Sequence, residues 1–282
     1  VSAMRPSSLR LFAIGGREWA PLGAVILASI VFSVASPYFA TAGNAATIVR
    51  NSTELMLAGL GMTLLLAMGS IDVSIGILMG LAAIAVSHAL LASVAPALAL
   101  LVGPVTALVV VLGRVPAIVG TLGLLGVYRM GVFVLLGGQW LSGLPAGLME
   151  LLSRALFGIP LSVFVIGLAY LAVWLALRRT AYGPHLLSIG NAEEKARLSG
   201  VPVNKVRVAT FVVSGALTGL AASFYVANYR NVEMAIGSTL ALDAIAAVVL
   251  GGTSILGGRC SLLGTALGVI LLRVLQNGLL LV

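Results

Sequence analysis

The chain has 282 residues, of which 60% are hydrophobic and only 9% are charged, and its mean hydropathy is +1.16. Because soluble domains carry about 25% charged residues, this composition excludes an ordinary soluble protein and indicates a polytopic membrane protein. The net charge of +8 does not indicate a nucleic-acid partner, since the basic residues flank apolar runs instead of forming one patch. The single cysteine, Cys260, excludes an intrachain disulfide and a metal cluster of cysteines.

Nine apolar runs are each close to the ~20 residues that a bilayer requires, and we predict that they are membrane-spanning helices. The predicted fold is therefore an all-α polytopic membrane protein with one transmembrane domain over residues 1–282. An odd number of spans leaves the carboxyl end outside, so a tenth span is expected beyond Val282. The predicted spans are 21–39, 54–70, 73–93, 95–113, 117–136, 156–177, 208–227, 239–257 and 261–282.

The distribution of basic residues predicts a cytoplasmic amino terminus, because short cytoplasmic loops collect Lys and Arg. With that orientation most of the sixteen basic residues face the cytoplasm, and few face outside. The cytoplasmic basic residues include Arg5, Arg10 and Arg17, and the turns predicted on the same side lie near Asp72, near Arg114, at 178–207 and at Gly258–Arg259.

A polar segment, Arg178–Arg207, interrupts the apolar runs and holds six of the sixteen basic residues. A segment with this charge cannot lie in hydrocarbon, so it is predicted to be a cytoplasmic loop. Within it Glu194, Ala196 and Gly200 have the spacing E-x-A-x-x-x-G, which predicts a short helix stopped by glycine. A membrane protein with one compact helical loop in the cytoplasm is expected to be moved by a partner there.

Glycines recur four residues apart at Gly76 and Gly80, at Gly215 and Gly219, and at Gly264 and Gly268. The favoured interpretation is close helix packing within the membrane, where small residues let backbones approach. The alternative is that these glycines line a translocation path or permit helix breaks.

Two similar stretches, 69–76 and 252–259, each join an incoming span to the next span on the same side of the membrane. Two turns on the same side are what a parallel internal repeat predicts, in contrast to the inverted repeats of many secondary transporters. The alternative is chance similarity, because the match consists mostly of Gly, Ser and Ile. The residues assigned to these structural turns are Asp72, Ser74, Gly76, Gly252, Gly257 and Gly258.

Ionisable residues in or beside spans need a partner or a watery cavity, because insertion of a charge costs at least ~2.5–3.5 kcal/mol. Arg50 and Glu54 are four residues apart and can pair on one helix face. Asp72 is interpreted first as a helix cap and second as a mechanistic residue. Asp243 and Arg129 either face a polar pathway or satisfy each other.

The sequence contains no phosphate-binding loop, no G-x-S-x-G motif and no metal-ligand spacing. His88 and His185 are too far from other reactive residues in the sequence to form a metal pair or a catalytic triad. We therefore predict no catalytic residue, no metal and no cofactor, which disfavours a membrane-embedded enzyme.

Amides and aromatic rings at the predicted outer ends of two spans suit the binding of a neutral sugar. Interfacial anchoring is an equally good interpretation for the Tyr and Trp residues. The candidates for the substrate path are Gln139, Trp140, Tyr225, Asn228 and Tyr229.

Three separated stretches, at 66–83, 190–207 and 242–268, resemble the ribose-type permeases of bacterial ATP-binding-cassette importers. A fourth, at 114–145, looks closer to the autoinducer-2 and rhamnose branch of that family. There are two departures: Gly69-Ser70 stands where the family usually has two glycines, and Cys260 stands where glycine is common.

The resemblance implies a permease dimer, homomeric or heteromeric, in the bacterial inner membrane. A solute-binding protein would deliver a sugar-like ligand outside, and two ATPase subunits would bind the cytoplasmic loop. Glu193, Glu194, Ala196 and Gly200 match the family's coupling segment. The competing hypothesis is an ion-coupled secondary transporter or channel that uses Asp72 or Asp243 as its ion site.

Overall fold

The computed structural model describes residues 19–91, 103–144, 150, 152, 154–156 and 159–282, so Arg5, Arg10 and Arg17 lie outside the described residues. Within those ranges the chain forms eleven helices and one small hairpin. The helices are α1 (Trp19–Ala35), α2 (Ala42–Ala67), α3 (Ile75–Leu91), α4 (Gly103–Leu112), α5 (Ala117–Leu136), α6 (Leu161–Arg179), α7 (Tyr182–Asn191), α8 (Glu193–Leu198), α9 (Val203–Tyr229), α10 (Leu240–Leu250) and α11 (Leu262–Leu281). Strands β1 (Ala155–Leu156) and β2 (Ile159–Pro160) pair antiparallel.

A helix lies at the position of each of the nine predicted spans, so the prediction of a helical membrane fold is confirmed. By length and composition, four of the described helices can cross a membrane, namely α5, α6, α9 and α11. Helices α1, α3 and α10 are apolar but shorter. The predicted number of nine or ten spans is therefore not confirmed.

Helix α2 lies at the centre of the bundle and packs against α6, α7, α9, α10 and α11. Its side chains from Ser52 to Ala67 are all buried, and the Thr41 hydroxyl caps its first turn by accepting a hydrogen bond from the backbone N–H of Asn44. A helix surrounded by others needs small residues at its contacts. At Gly61 a Cβ atom would lie 2.7 Å from the Ser214 hydroxyl oxygen, which shows how closely α2 approaches α9.

Three of the recurring glycines, Gly76, Gly264 and Gly268, are positions of backbone contact. A Cβ atom on Gly76 would overlap the carbonyl oxygen of Gly237, and one on Gly264 would overlap that of Gly251. Gly268 has the same relation to the carbonyl oxygen of Ala247. Because backbone fills the space in front of these glycines, they serve close packing of α3 and α11 against the segment 237–251.

The predicted span 239–257 is a helix only from Leu240 to Leu250. Eleven residues of α-helix extend about 16 Å, roughly half of the ~30 Å hydrocarbon thickness. The chain between α9 and α10 is irregular backbone, with Val232 and Ile236 buried. Irregular backbone is tolerated at membrane depth where protein surrounds it.

Helices α2 and α10 end in the same backbone motif, 183 residues apart. In the first, Gly69 N–H bonds to Leu66 O and Ser70 N–H bonds to Leu65 O; in the second, Gly252 N–H bonds to Val249 O and Thr253 N–H bonds to Val248 O. Both glycines have the positive φ that this helix ending requires, +76° at Gly69 and +89° at Gly252. The similarity between 69–76 and 252–259 is thus matched by geometry in the first half of each turn.

Candidate functional site

Four segments that the sequence places on one side of the membrane meet at one end of the bundle. They are the turns 68–74, 113–116 and 251–261 and the polar segment 178–207. The Gly258 N–H donates a hydrogen bond to Ala67 O at 2.9 Å, and Gly190 fits between these two backbones where a Cβ atom would overlap both. A cavity of about 690 Å³ opens between the segments and includes Gly69, Arg114 and Glu193 in its lining.

The polar segment folds as two helices, α7 and α8, instead of one. Ala196 is the buried residue of α8, and the helix ends at Ser199-Gly200. Gly200 has φ +81°, and the N–H groups of Gly200 and Val201 bond to the carbonyls of Arg197 and Ala196 at 3.1 and 3.0 Å. Glycine suits this position because side chains strain a left-handed backbone.

The outward face of α8 carries an unusual apolar residue. Leu198 is 83% exposed, next to the exposed charge of Glu194. Leu256, in the neighbouring turn 251–261, is 89% exposed. Two leucines this exposed at the loop end of a membrane bundle leave apolar surface uncovered outside the apolar helices.

Glu193 pairs with two arginines, and the pair with Arg207 holds α8 against α9. Its carboxylate accepts a hydrogen bond from Arg197 at 3.0 Å and another from Arg207 on α9 at 2.7 Å. Partial burial by itself would raise the pKa of the Glu193 carboxyl, but the hydrogen bonds and charges of Arg207 and Arg197 outweigh it and hold the pKa below its usual value.

We expect Glu193→Gln to loosen α8, because the neutral amide accepts weaker hydrogen bonds from the two arginines. A carboxyl whose folded-state pKa is lowered contributes stability above its unfolded pKa of about 4.5 and loses it as the pH falls through the lower folded value. The protection factors of the α8 amides, which correct for the intrinsic slowing of exchange in acid, should therefore fall in wild type below about pH 4.5 and change little in Glu193→Gln. The matched control is Glu194→Gln, on the exposed side of the same turn; equal effects of both variants would contradict the prediction.

Asp72 and its neighbours form the start of α3. The buried Asp72 carboxylate accepts hydrogen bonds from the Ser74 backbone N–H at 2.8 Å and from its hydroxyl at 2.6 Å. Asp243 is half-buried in the first turn of α10, and Arg129 is exposed on α5. No salt bridge joins Asp243 to Arg129 among the residues that the structure describes, so the two do not satisfy each other.

The sequence candidates for the substrate path lie at the opposite end of the bundle. The segments that follow α5 and α9 are joined there, since Leu141 and Val232 exchange backbone hydrogen bonds of 3.0 and 2.9 Å. Gln139 and Trp140, just before this bridge, are exposed. On α9, the rings of Tyr225 and Tyr229 lie 4.6 Å apart between centroids.

Asn228 belongs to a group of polar side chains whose contacts the sequence did not predict. Its side-chain amide donates to the buried Glu54 carboxylate at 3.3 Å. The predicted Arg50–Glu54 pair was wrong: Arg50 is exposed, and no salt bridge to Glu54 occurs within the described ranges. Helix geometry allowed that pair, but the Glu54 side chain instead contacts Asn228 on α9. The positive charge of Arg273, on α11, also acts on the Glu54 carboxylate.

Arg273 and Asn277 complete this cluster from α11. The Arg273 guanidinium donates to Gln276 at 2.7 Å, whereas its Nε and the Asn277 Oδ1 are buried with no hydrogen-bond partner in the described part of the chain. A cavity of about 130 Å³ beside them includes Asn51 in its lining. We call Asn51, Glu54, Asn228, Arg273 and Asn277 the polar cluster. Its sequence signal was R-x-x-Q-N inside an apolar span.

Polar groups buried at membrane depth are costly and usually mark the path of a solute. The polar cluster combines amides, one acid and one base near the contacting rings of Tyr225 and Tyr229, which suits a neutral ligand with many hydroxyl groups. No group of His, Cys, Asp or Glu that could hold a metal ion occurs among the described residues.

Comparison with known proteins gives one consistent result. Residues 44–282 match the family model described as branched-chain amino acid transport system / permease component. The chain is 38% identical to an autoinducer 2 import system permease protein of Klebsiella pneumoniae over 94% of this chain and 79% of that protein. It is 36% identical to a ribose import permease protein of Escherichia coli K12 over 93% and 85% of the two chains, and 32% identical to one of Bacillus subtilis over 92% and 83%. No solved structure matches the chain significantly.

Proposed function

The chain belongs to the branched-chain amino acid transport system permease component family, and we propose that it is the permease subunit of an ATP-binding-cassette importer for a sugar or sugar-like solute. The observation that carries this proposal is the similarity, over more than nine-tenths of the chain, to permeases of autoinducer 2 and ribose import systems. The solute is of the autoinducer-2, ribose or rhamnose type. The protein is a multi-pass membrane protein, placed in the bacterial inner membrane with its amino terminus in the cytoplasm.

In this proposal the ATPase subunit docks on α8 and moves it. A cytoplasmic ATPase subunit covers the exposed Leu198 and Leu256 and contacts Glu194. Glu193 transmits movement of α8 to α9 through Arg207, because that ion pair joins the two helices directly. Ala196 anchors α8 to the bundle and Gly200 ends it. ATP hydrolysis belongs to the partner, and this chain has no catalytic role.

The solute enters at the other end. An extracytoplasmic binding protein releases the ligand near Gln139 and Trp140, and a second permease subunit completes the path. Tyr225 and Tyr229 lie on the same helix as Asn228 of the polar cluster, and the solute passes them on its way from that mouth to the cluster. The unpartnered Arg273 Nε and Asn277 Oδ1 support this placement, since a passing hydroxyl group can satisfy them within the described part of the bundle.

The test is reconstitution of the chain with its ATPase subunit and binding protein in lipid vesicles. We expect solute to stimulate ATP hydrolysis in wild type, and we expect Glu194→Lys and Gly200→Pro to abolish the stimulation. Glu194→Lys reverses a charge on the exposed face of α8, and Gly200→Pro cannot adopt the left-handed backbone that ends α8. Glu194→Gln, which keeps the shape of the side chain, is the matched control.

Two outcomes would refute the proposal. The first is wild-type stimulation in both variants. The second is solute uptake by the purified chain alone under an ion gradient, which would instead favour the ion-coupled transporter and would direct attention to Asp72 and Asp243.

A further inference from the structure

A second groove, separate from the polar cluster, runs between α4 and α9. Its volume is about 540 Å³, within the ~300–1,000 Å³ range of ligand clefts. One end carries the basic side chains of Arg114 and Lys205 and the amide of Asn204. The remainder is apolar and is lined by Val111, Val208, Ala209 and Val212.

The α9 wall of the groove is one helix face. Lys205, Ala209 and Val212 follow the i, i+4, i+7 spacing that aligns side chains on a helix. From Lys205 to Val212 the helix rises about 10 Å. Lys205 and Ala209 are exposed and Val212 is partly exposed, so this face is open. The groove therefore changes from charged to apolar over the depth that separates a lipid headgroup from its acyl chains.

Arg114 lies at the charged end of the groove and has an unusual backbone conformation as well as a basic side chain. Its φ is +51°, a left-handed conformation that glycine normally adopts where a helix ends. Such strain in a residue other than glycine costs about 1–3 kcal/mol and is often retained for function. The Arg114 side chain is exposed, and it also lines the adjoining cavity with Arg197 and Arg207.

Basic residues outnumber acidic residues around the charged end of the groove. Glu193 is the acid in that adjoining cavity, and it is engaged by Arg197 and Arg207. Arg114 and Lys205 form no salt bridge among the residues described. A basic pocket at the cytoplasmic end of membrane helices suits an anionic lipid headgroup.

We propose that this groove binds an anionic phospholipid, with its phosphate held between Arg114 and Lys205 and one acyl chain lying along Val208, Ala209 and Val212. An anionic phospholipid has the same order of charge and apolar chain as the groove. A free anion would leave the apolar wall exposed, and a helix from another protein would have to bury the two cations.

Native mass spectrometry of the detergent-purified chain, with phosphatidylglycerol or phosphatidylcholine of identical acyl chains, tests the proposal. We expect preferential retention of phosphatidylglycerol. Arg114→Gly and Lys205→Gln should each lower its affinity about fivefold, corresponding to about 1 kcal/mol for each basic residue near the lipid surface. Ala209→Phe should lower it by filling the apolar part of the groove without changing charge.

Arg114→Gly separates lipid binding from folding, because glycine relieves the left-handed strain and should keep or raise the thermal unfolding temperature. Arg230→Gly is the matched control: Arg230 is also left-handed, with φ +53°, but lies at the other end of α9. It should leave phosphatidylglycerol retention unchanged.

Four results would overturn the proposal. They are equal retention of the two lipids, unchanged retention in both Arg114→Gly and Lys205→Gln, competition by inorganic phosphate at the same affinity as the lipid, and loss of bound lipid when the importer assembles, which would show that a protein covers the groove. None of these results bears on whether the importer is driven by ATP.

Discussion

Gly237→Ala is expected to prevent the protein from accumulating in a folded form. Gly237 has φ +70°, and its added Cβ atom would overlap the backbone of Gly76. The left-handed strain and the displaced backbone together should cost at least about 3 kcal/mol. Relaxation is difficult because the irregular segment between α9 and α10 is buried, with Ile236 packed against Gly80.

Fluorescence-detected gel filtration of the tagged protein in detergent measures this effect as loss of the monodisperse peak. The matched control is Gly123→Ala, since a Cβ atom on Gly123 meets nothing within 4 Å and its backbone is helical. That variant should be unchanged or more stable by about 0.5–1 kcal/mol. A normal peak and unfolding temperature for Gly237→Ala would show that the contact with Gly76 is not required.

Leu198→Lys is expected to reduce ATP-driven uptake more than tenfold while the permease stays folded. Leu198 is 83% exposed, so lysine costs little in the isolated chain, and a cation in the last turn of α8 is favourable for the helix. When the ATPase subunit covers this position, the same lysine would be buried without a compensating charge. Each 1.4 kcal/mol of binding free energy that is lost raises the dissociation constant tenfold. This expectation depends on the proposed function.

Co-purification of the ATPase subunit and uptake in vesicles provide the two measurements. Leu198→Met keeps an apolar side chain of similar volume and should retain activity within about twofold. Wild-type association and uptake in Leu198→Lys would mean that the exposed leucine is not covered by the ATPase, and the docking surface would then have to lie elsewhere.

The sequence predicted correctly those features that neighbouring residues determine, namely helices, helix ends and turns. Helices lie at the positions of the apolar runs, and E-x-A-x-x-x-G corresponds to α8, which ends at Leu198 two residues before the left-handed Gly200. The repeat of 69–76 at 252–259 also reappeared, as identical hydrogen bonds at Gly69 and Gly252. Helix propagation, capping and glycine in a left-handed turn are all governed by residues within about five positions of one another.

Composition alone therefore determined that this is a helical membrane protein, and charge placement determined which turns share one end of it. Tertiary structure decided what no local pattern contains: that α10 ends at Leu250 and follows a buried irregular segment, that Gly76 lies against Gly237, and that Glu54 contacts Asn228, 174 residues away. In an apolar sequence most helix faces look alike, so hydropathy does not specify which faces meet. The fit of small residues and the pairing of buried polar groups specify it, and both depend on contacts between distant parts of the chain.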